Sequence, residues 1–289
     1  MGRIAIVCAV FLQALGKVAY GTWLADFPSP AFVFISFTLT AALFIGLSGR
    51  GTGQMAWRPL LLLNFATALT FLSFFYALKL IEPAIVGAVE IGIGPMLAMG
   101  LTFLMTGVRP SRWRLMVCTG VLIGCGILAV AALLGTGFKT SATDASMGLA
   151  ASIAAGAGAV VITMASKSLV NKGWKFGAVL AHRFYVILPL SLLLTFAGDN
   201  LEAVEWSGTL VTALIAVSLV GVLAPLYLLQ IGIGKCDTYT VMVSMAALPV
   251  LTFIIEGVSP VYSWSWLTAL GVVVVTAFLV LDVTAPKRK

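Results

Sequence analysis

Long apolar stretches, more than any motif, limit what this chain can become. Ten runs of roughly 20 residues, the length that crosses a bilayer core as helix, succeed one another at about 4–24, 30–48, 59–78, 82–106, 115–135, 147–170, 177–197, 209–230, 237–257 and 263–282. Some breaks between them are very short, as at Asp26-Phe27-Pro28-Ser29-Pro30. In hydrocarbon the backbone must bond to itself, and the period-2 alternation of a barrel is absent, so the runs predict helices. Composition agrees. Of 289 residues 61% are hydrophobic and 9% charged, where a soluble domain carries about 25% charge. A soluble enzyme, a nucleic-acid-binding domain and a disordered chain are excluded. The predicted fold is an all-α polytopic bundle of ten transmembrane helices.

The charges that remain are unevenly placed. With a cytoplasmic N-terminus, one side receives Arg3, Arg50, Arg58, Arg109, Arg112, Arg114, Lys167, Lys172, Lys175, Lys235, Lys287, Arg288 and Lys289. The other side receives only Lys79 and Lys139, beside the acidic Asp199, Glu202 and Glu205. This positive-inside bias predicts both termini in the cytoplasm. The net charge of +7 then reads as loop charge facing the inner leaflet, with no nucleic-acid partner implied. Arg3, the apolar run from Ile4, and Ala14 with Gly16 imitate a signal peptide. Lys17 and the apolar continuation to Leu24 instead predict a first membrane helix.

A repeat runs through the two halves. Glu82-Pro83-Ala84, Pro95 and Gly107-Val108-Arg109-Pro110 are echoed by Cys236-Asp237-Thr238, Pro249 and Gly257-Val258-Ser259-Pro260. Pro83 precedes Pro95 by the same interval as Asp237 precedes Pro249, and tryptophans follow at Trp113 and at Trp264 and Trp266. Two halves of five spans, 4–135 and 147–282, must lie inverted in the membrane because five is odd. Such repeats place a site near the midplane and alternate its access. Pro95 and Pro249 interrupt helical ladders and are candidate hinges.

Phe75-Tyr76-Ala77-Leu78, Ile81-Glu82-Pro83-Ala84 and mid-helix Pro95, with Leu226-Tyr227 and Pro249 in the second half, resemble the fourth-helix region of EamA-type drug/metabolite transporters. That resemblance implies ten helices in two five-helix repeats and transport of small molecules. Arg183-Phe184 is similar to an Arg-Phe element common in the family, while Ser36-Phe37 stands at the matching place in the first half.

Charges inside spans are costly and mark functional sites by default. Lys17 in the first helix and Glu90 in the fourth lie at matching depths, roughly 10–12 Å from the outer end at 1.5 Å per residue. Gln13 shares a helix face with Lys17. Gly87 and Gly94 flank Glu90 and leave room for a ligand or a close neighbour. Functionally, Glu90 would meet an ammonium or carry a proton while Lys17 meets a carboxylate, which suits an amino acid or another zwitterion. Structurally, the two would form an ion pair that avoids the burial penalty.

His182, with an unperturbed pKa of about 6.5, is a candidate relay, and Arg183 can snorkel to the inner interface. Tyr20, Tyr76 and Tyr227 are candidate cavity-lining residues; with Trp23 and Tyr185 they also fit an aromatic belt. Cys8, Cys118, Cys125 and Cys236 have no zinc spacing, and with a single histidine no metal or other cofactor is expected.

The functional expectation is a secondary transporter, acting as an exporter, of small organic metabolites in a bacterial-type inner membrane, driven by protons or by the substrate gradient. Gly234-Lys235-Cys236 does not complete a Walker A loop. The alternatives are a multidrug or quaternary-cation exporter and a non-transporting assembly protein. An intramembrane enzyme is disfavoured, because no mid-span aspartate pair, Ser–His context or HExxH occurs. Oligomeric state is not set by the sequence.

Overall fold

A computed structural model describes residues 2–48, 51–107, 109, 111–197, 204–235 and 245–284. Cys236 and Asp237, half of the repeat match, and the basic tail at Lys287, Arg288 and Lys289 lie outside them. The described residues are helical, with no strand among them. α1 (Gly2–Trp23), α2 (Ser29–Ser48), α3 (Trp57–Leu80), α4 (Pro83–Thr106), α5 (Arg112–Leu134) and α6 (Ala142–Val170) fill the first six apolar runs. Then come α7 (Phe176–Ala181), α8 (Ile187–Ala197), α9 (Gly208–Ala216), a π-helical segment (Val217–Leu223), α10 (Ala224–Lys235), α11 (Leu248–Glu256) and α12 (Trp266–Thr284). Among the described residues six helices are long and apolar enough to cross a membrane, with shorter apolar stretches at Pro83–Leu97, Ile187–Ala197 and Trp266–Leu281.

Local chemistry sets the helix ends. The Ser111, Ser141 and Ser207 hydroxyls accept from backbone N–H groups of the first turns of α5, α6 and α9, satisfying donors that have no intrahelical partner. Gly107 and Gly135 close α4 and α5 in the left-handed region, at φ +69° and +60°, which a side chain would resist.

Two spans depart from the simple rods predicted. The run at 177–197 is broken at residues 182–186, between α7 and α8. Pro189, in the first turn of α8, has no N–H for the Tyr185 carbonyl and crowds it, so the ladder cannot continue through. The run at 209–230 is continuous but contains the π-helical segment, whose wider turn brings Gly221 against Gly16 of α1. The prolines differ as well: Pro95 lies within unbroken α4, whereas Pro249 sits in the first turn of α11, where its missing donor is cheap.

Packing follows small residues, as expected where lipid is as apolar as any side chain. α3 lies along α6, α5 along α12, α1 along the π-helical segment and α10, α4 against α6 and α11, and α2 against α8. A β-carbon on Gly158 would overlap the Thr70 hydroxyl and press on the Ala66 carbonyl, and one on Gly120 would overlap the Phe278 ring. The interior holds Tyr20, Phe32, Phe37 and Phe184, while Leu62, Phe65, Ile123, Leu193 and Phe196 point outward. Substituting Gly158→Leu should wedge α3 from α6 and lower the unfolding temperature of the detergent-solubilised protein, at roughly 1–3 kcal/mol. An unchanged melting curve would contradict the close α3–α6 approach.

Candidate functional site

α1 and α4 run in opposite directions and bring Lys17 and Glu90 together. Lys17 lies six residues from the end of α1 and Glu90 seven from the start of α4, about 10 Å from the same end of the bundle. The Lys17 Nζ donates to Glu90 Oε2 at 3.4 Å. Lys17 is buried and Glu90 largely so, at 8% and 19% side-chain exposure, leaving the carboxylate the more accessible partner. The ammonium also lies 4.6 Å from the centre of the Phe74 ring on α3, a cation–π contact. Gly87 lines the ammonium closely: a β-carbon there would stand 3.1 Å from Nζ and ask it to give by a few tenths of an ångström. On the far side Gly156 of α6 packs on the Glu90 carbonyl.

The other predicted site residues are more dispersed. Gln13 is half-buried one turn before Lys17, and Gly94 faces Val160 with room to spare. Tyr20 is fully buried against Phe32 and Phe75, with ring centres 4.6 and 5.0 Å away, so it is a core residue and not a belt residue. Tyr76 is exposed and its hydroxyl meets the Met147 sulfur at 3.8 Å, and Tyr227 is exposed beside Phe44. His182 lies in the break after α7, with Nδ1 bonded to the Tyr185 hydroxyl and its ring edge-on to Trp174.

Asn64 of α3 holds that break together. Its amide nitrogen donates to the His182 carbonyl at 3.0 Å and its oxygen accepts from the Tyr185 N–H at 2.8 Å. One buried side chain thus replaces both halves of the interrupted ladder. Arg183, next in the chain, donates from Nε to the Thr67 hydroxyl at 3.3 Å and lies over Phe71 and Phe184.

A second group of charges closes the end of the bundle nearer Lys17 and Glu90. Glu256, at the end of α11, accepts from the Ala84 N–H at the start of α4 at 2.6 Å, where a helix N-terminus favours an anion. Glu82, the N-cap of α4, is buried beside it and faces the N–H groups of Gly137 and Phe138. Around them Thr22 bonds Ser259 at 3.2 Å, Thr136 bonds Ser265 at 2.7 Å, and the Ser263 N–H donates to the Gly137 carbonyl at 2.8 Å. Tyr262 completes the group from the loop before α12. Burial, then the Glu256 and Glu82 carboxylates, push its phenol above the ordinary range, so it stays neutral.

Residues 1–130 match the model of the EamA-like transporter family. By that match, this part of the chain belongs to the EamA-like transporters. No curated protein matches. A solved structure described only as "Crystal structure of protein" aligns with 97% of this chain and 96% of its own, at a TM-score of 0.66 and 19% identity, a likeness of fold alone. With its apolar helices and this match over its first part, the chain is an integral, multi-pass membrane protein.

The EamA-like part holds Lys17, Glu90, Gly87 and Phe74, so the ion pair itself falls within it, while Gly156 of α6 packs on it from outside. Sequence reading missed Asn64 and Glu256. Asn64 is the one amide in the third apolar run, a detectable anomaly, whereas Glu256 stands at the end of a run and resembles a loop charge. Substituting Asn64→Ala leaves a buried N–H and C=O unpaired, at about 1–3 kcal/mol each. Amide exchange at residues 182–186 should accelerate and the melting temperature fall; unchanged exchange would contradict the bridge.

Proposed function

We propose that this EamA-like chain is a secondary transporter of small organic metabolites, an exporter of amino acids or similar zwitterions from a bacterial-type cytoplasm. Residues 4–135 and 147–282 form inverted five-helix repeats that rock about a central site, with both termini cytoplasmic. The Lys17–Glu90 pair carries this reading. An ammonium and a carboxylate at 3.4 Å, isolated among apolar helices, offer one partner to each end of a zwitterion. Cargo enters by exchanging the internal pairing for its own two charges. Glu90, the more exposed member, is also the group to carry a proton.

The packing supports the repeat. Exchanging each span for its equivalent five places on turns the contact of α1 with the eighth span into that of α6 with α3. The pairs α2 with α8, α4 with α11 and α5 with α12 map onto themselves. Phe37 and Phe184, equivalent by the Ser36-Phe37 and Arg183-Phe184 match, have ring centres 5.4 Å apart, as residues beside a twofold axis do. The Glu256–Ala84 bond links the two equivalent helices, α4 and α11, at one face. Opening of that face would part this bond, with Pro95 and Pro249 as the flexing points.

The test is efflux from proteoliposomes loaded with labelled amino acids. Wild type should carry some of them, and Glu90→Gln should reduce flux at least about a hundredfold, the scale of a lost acid–base group, while inserting and purifying normally. Normal rates and pH dependence in that variant would remove Glu90 from the mechanism. Flux of quaternary amines without amino acids would contradict the zwitterion reading.

A further inference from the structure

One cation has no place in the scheme above. Arg183 stands in the break between α7 and α8, about 10 Å along its span at 1.5 Å per residue. Unlike Lys17, it has no carboxylate partner among the described residues. Its Nε bonds to Thr67, and its guanidinium carbon lies 5.5 Å from the Phe71 ring centre and 5.8 Å from that of Phe184. Ring faces stabilise the charge but accept none of the Nη protons in the way an oxyanion does. An unpaired cation within a membrane span is costly, and it persists where it faces a ligand or a water-filled cavity.

Its position is related to the ion pair. Phe71 and Phe74 are three residues apart and share a face of α3; Arg183 covers the first and Lys17 the second. Both cations therefore border one face of the same helix. The equivalent of Arg183 in the first half is Ser36, which bonds Ser218 of the π-helical segment at 2.7 Å. The second cation is thus present on one side of the repeat only. The break presents it there, since Asn64 takes up the backbone groups on either side and Thr67 fixes Nε.

We propose that Arg183 is the anchor for the anionic group of the cargo, a carboxylate or similar oxyanion taken by its Nη pair, with Thr67 positioning the guanidinium. The cargo assignment rests on the transport reading; the binding of an oxyanion does not. Lys17, released from Glu90 as the cargo's ammonium engages that carboxylate, meets the same oxyanion, so the two cations share it. An arginine fork suits this role because it meets both oxygens of a carboxylate at once.

Three probes that differ in one group test it by thermal stabilisation of the purified protein: leucine, leucinamide without the carboxylate, and 4-methylpentanoate without the ammonium. Phosphatidylglycerol is the fourth, as a lipid source of an oxyanion. Wild type should respond to leucine and 4-methylpentanoate. Arg183→Gln should weaken both by about tenfold or more, the scale of a lost charged hydrogen bond, with the leucinamide response unchanged. Arg183→Lys, which keeps the charge, should recover part of the loss and guards against a folding defect in the first variant. Equal carboxylate responses in wild type and Arg183→Gln would overturn the proposal, as would a wild type that answers to phosphatidylglycerol alone or to no carboxylate. Arg183-dependent carboxylate binding without flux would keep the anion site and remove the transport reading.

Discussion

Inside a bilayer no water stands in for a missing hydrogen-bond partner, and this chain is shaped by that condition. Most of its backbone satisfies itself as helix. Where the helix stops or breaks within the fold, a specific group takes over. Asn64 bridges the His182 carbonyl and the Tyr185 N–H, Glu256 caps the start of α4, and Gly107 and Gly135 turn the chain at helix ends. Buried Asn64, Glu82 and Glu256 each stand where a helix breaks or begins.

The same condition separates two kinds of buried charge. Glu256 meets a helix terminus and serves the closure of one end of the bundle. Lys17 and Glu90 meet each other across α1 and α4, in a setting where an apolar pair would pack at least as well. Gly87 leaves space for the ammonium and Phe74 gives it a ring face. We read this costly arrangement by what it can exchange with a ligand.

Much of this was legible in the sequence because the bilayer imposes a length and a polarity on every span. The first six apolar runs and α1–α6 coincide within a few residues, and the scarcity of mid-span charge singled out Lys17 and Glu90. The break after α7 was not legible from hydropathy, since residues 182–186 interrupt a run whose apolar character resumes at once; Pro189 was the signal. The π-helical segment has no signature beyond Gly221, whose close approach to Gly16 is a tertiary fact. Tyr20 looked like an interface residue near a span end, but the packing of α2 and α3 enclosed it between Phe32 and Phe75.

Removing both members of the ion pair together tests the central claim most directly. Lys17→Met with Glu90→Leu deletes both charges and fills their volume, so neither is left buried and unpaired. Melting temperature and proteoliposome flux, measured on the same preparation, should separate: stability equal to wild type or higher, and no flux. A double variant that transports at the wild-type rate, or one that is destabilised although neither charge is left unpaired, would show that the pair is structural and that the cargo is handled elsewhere.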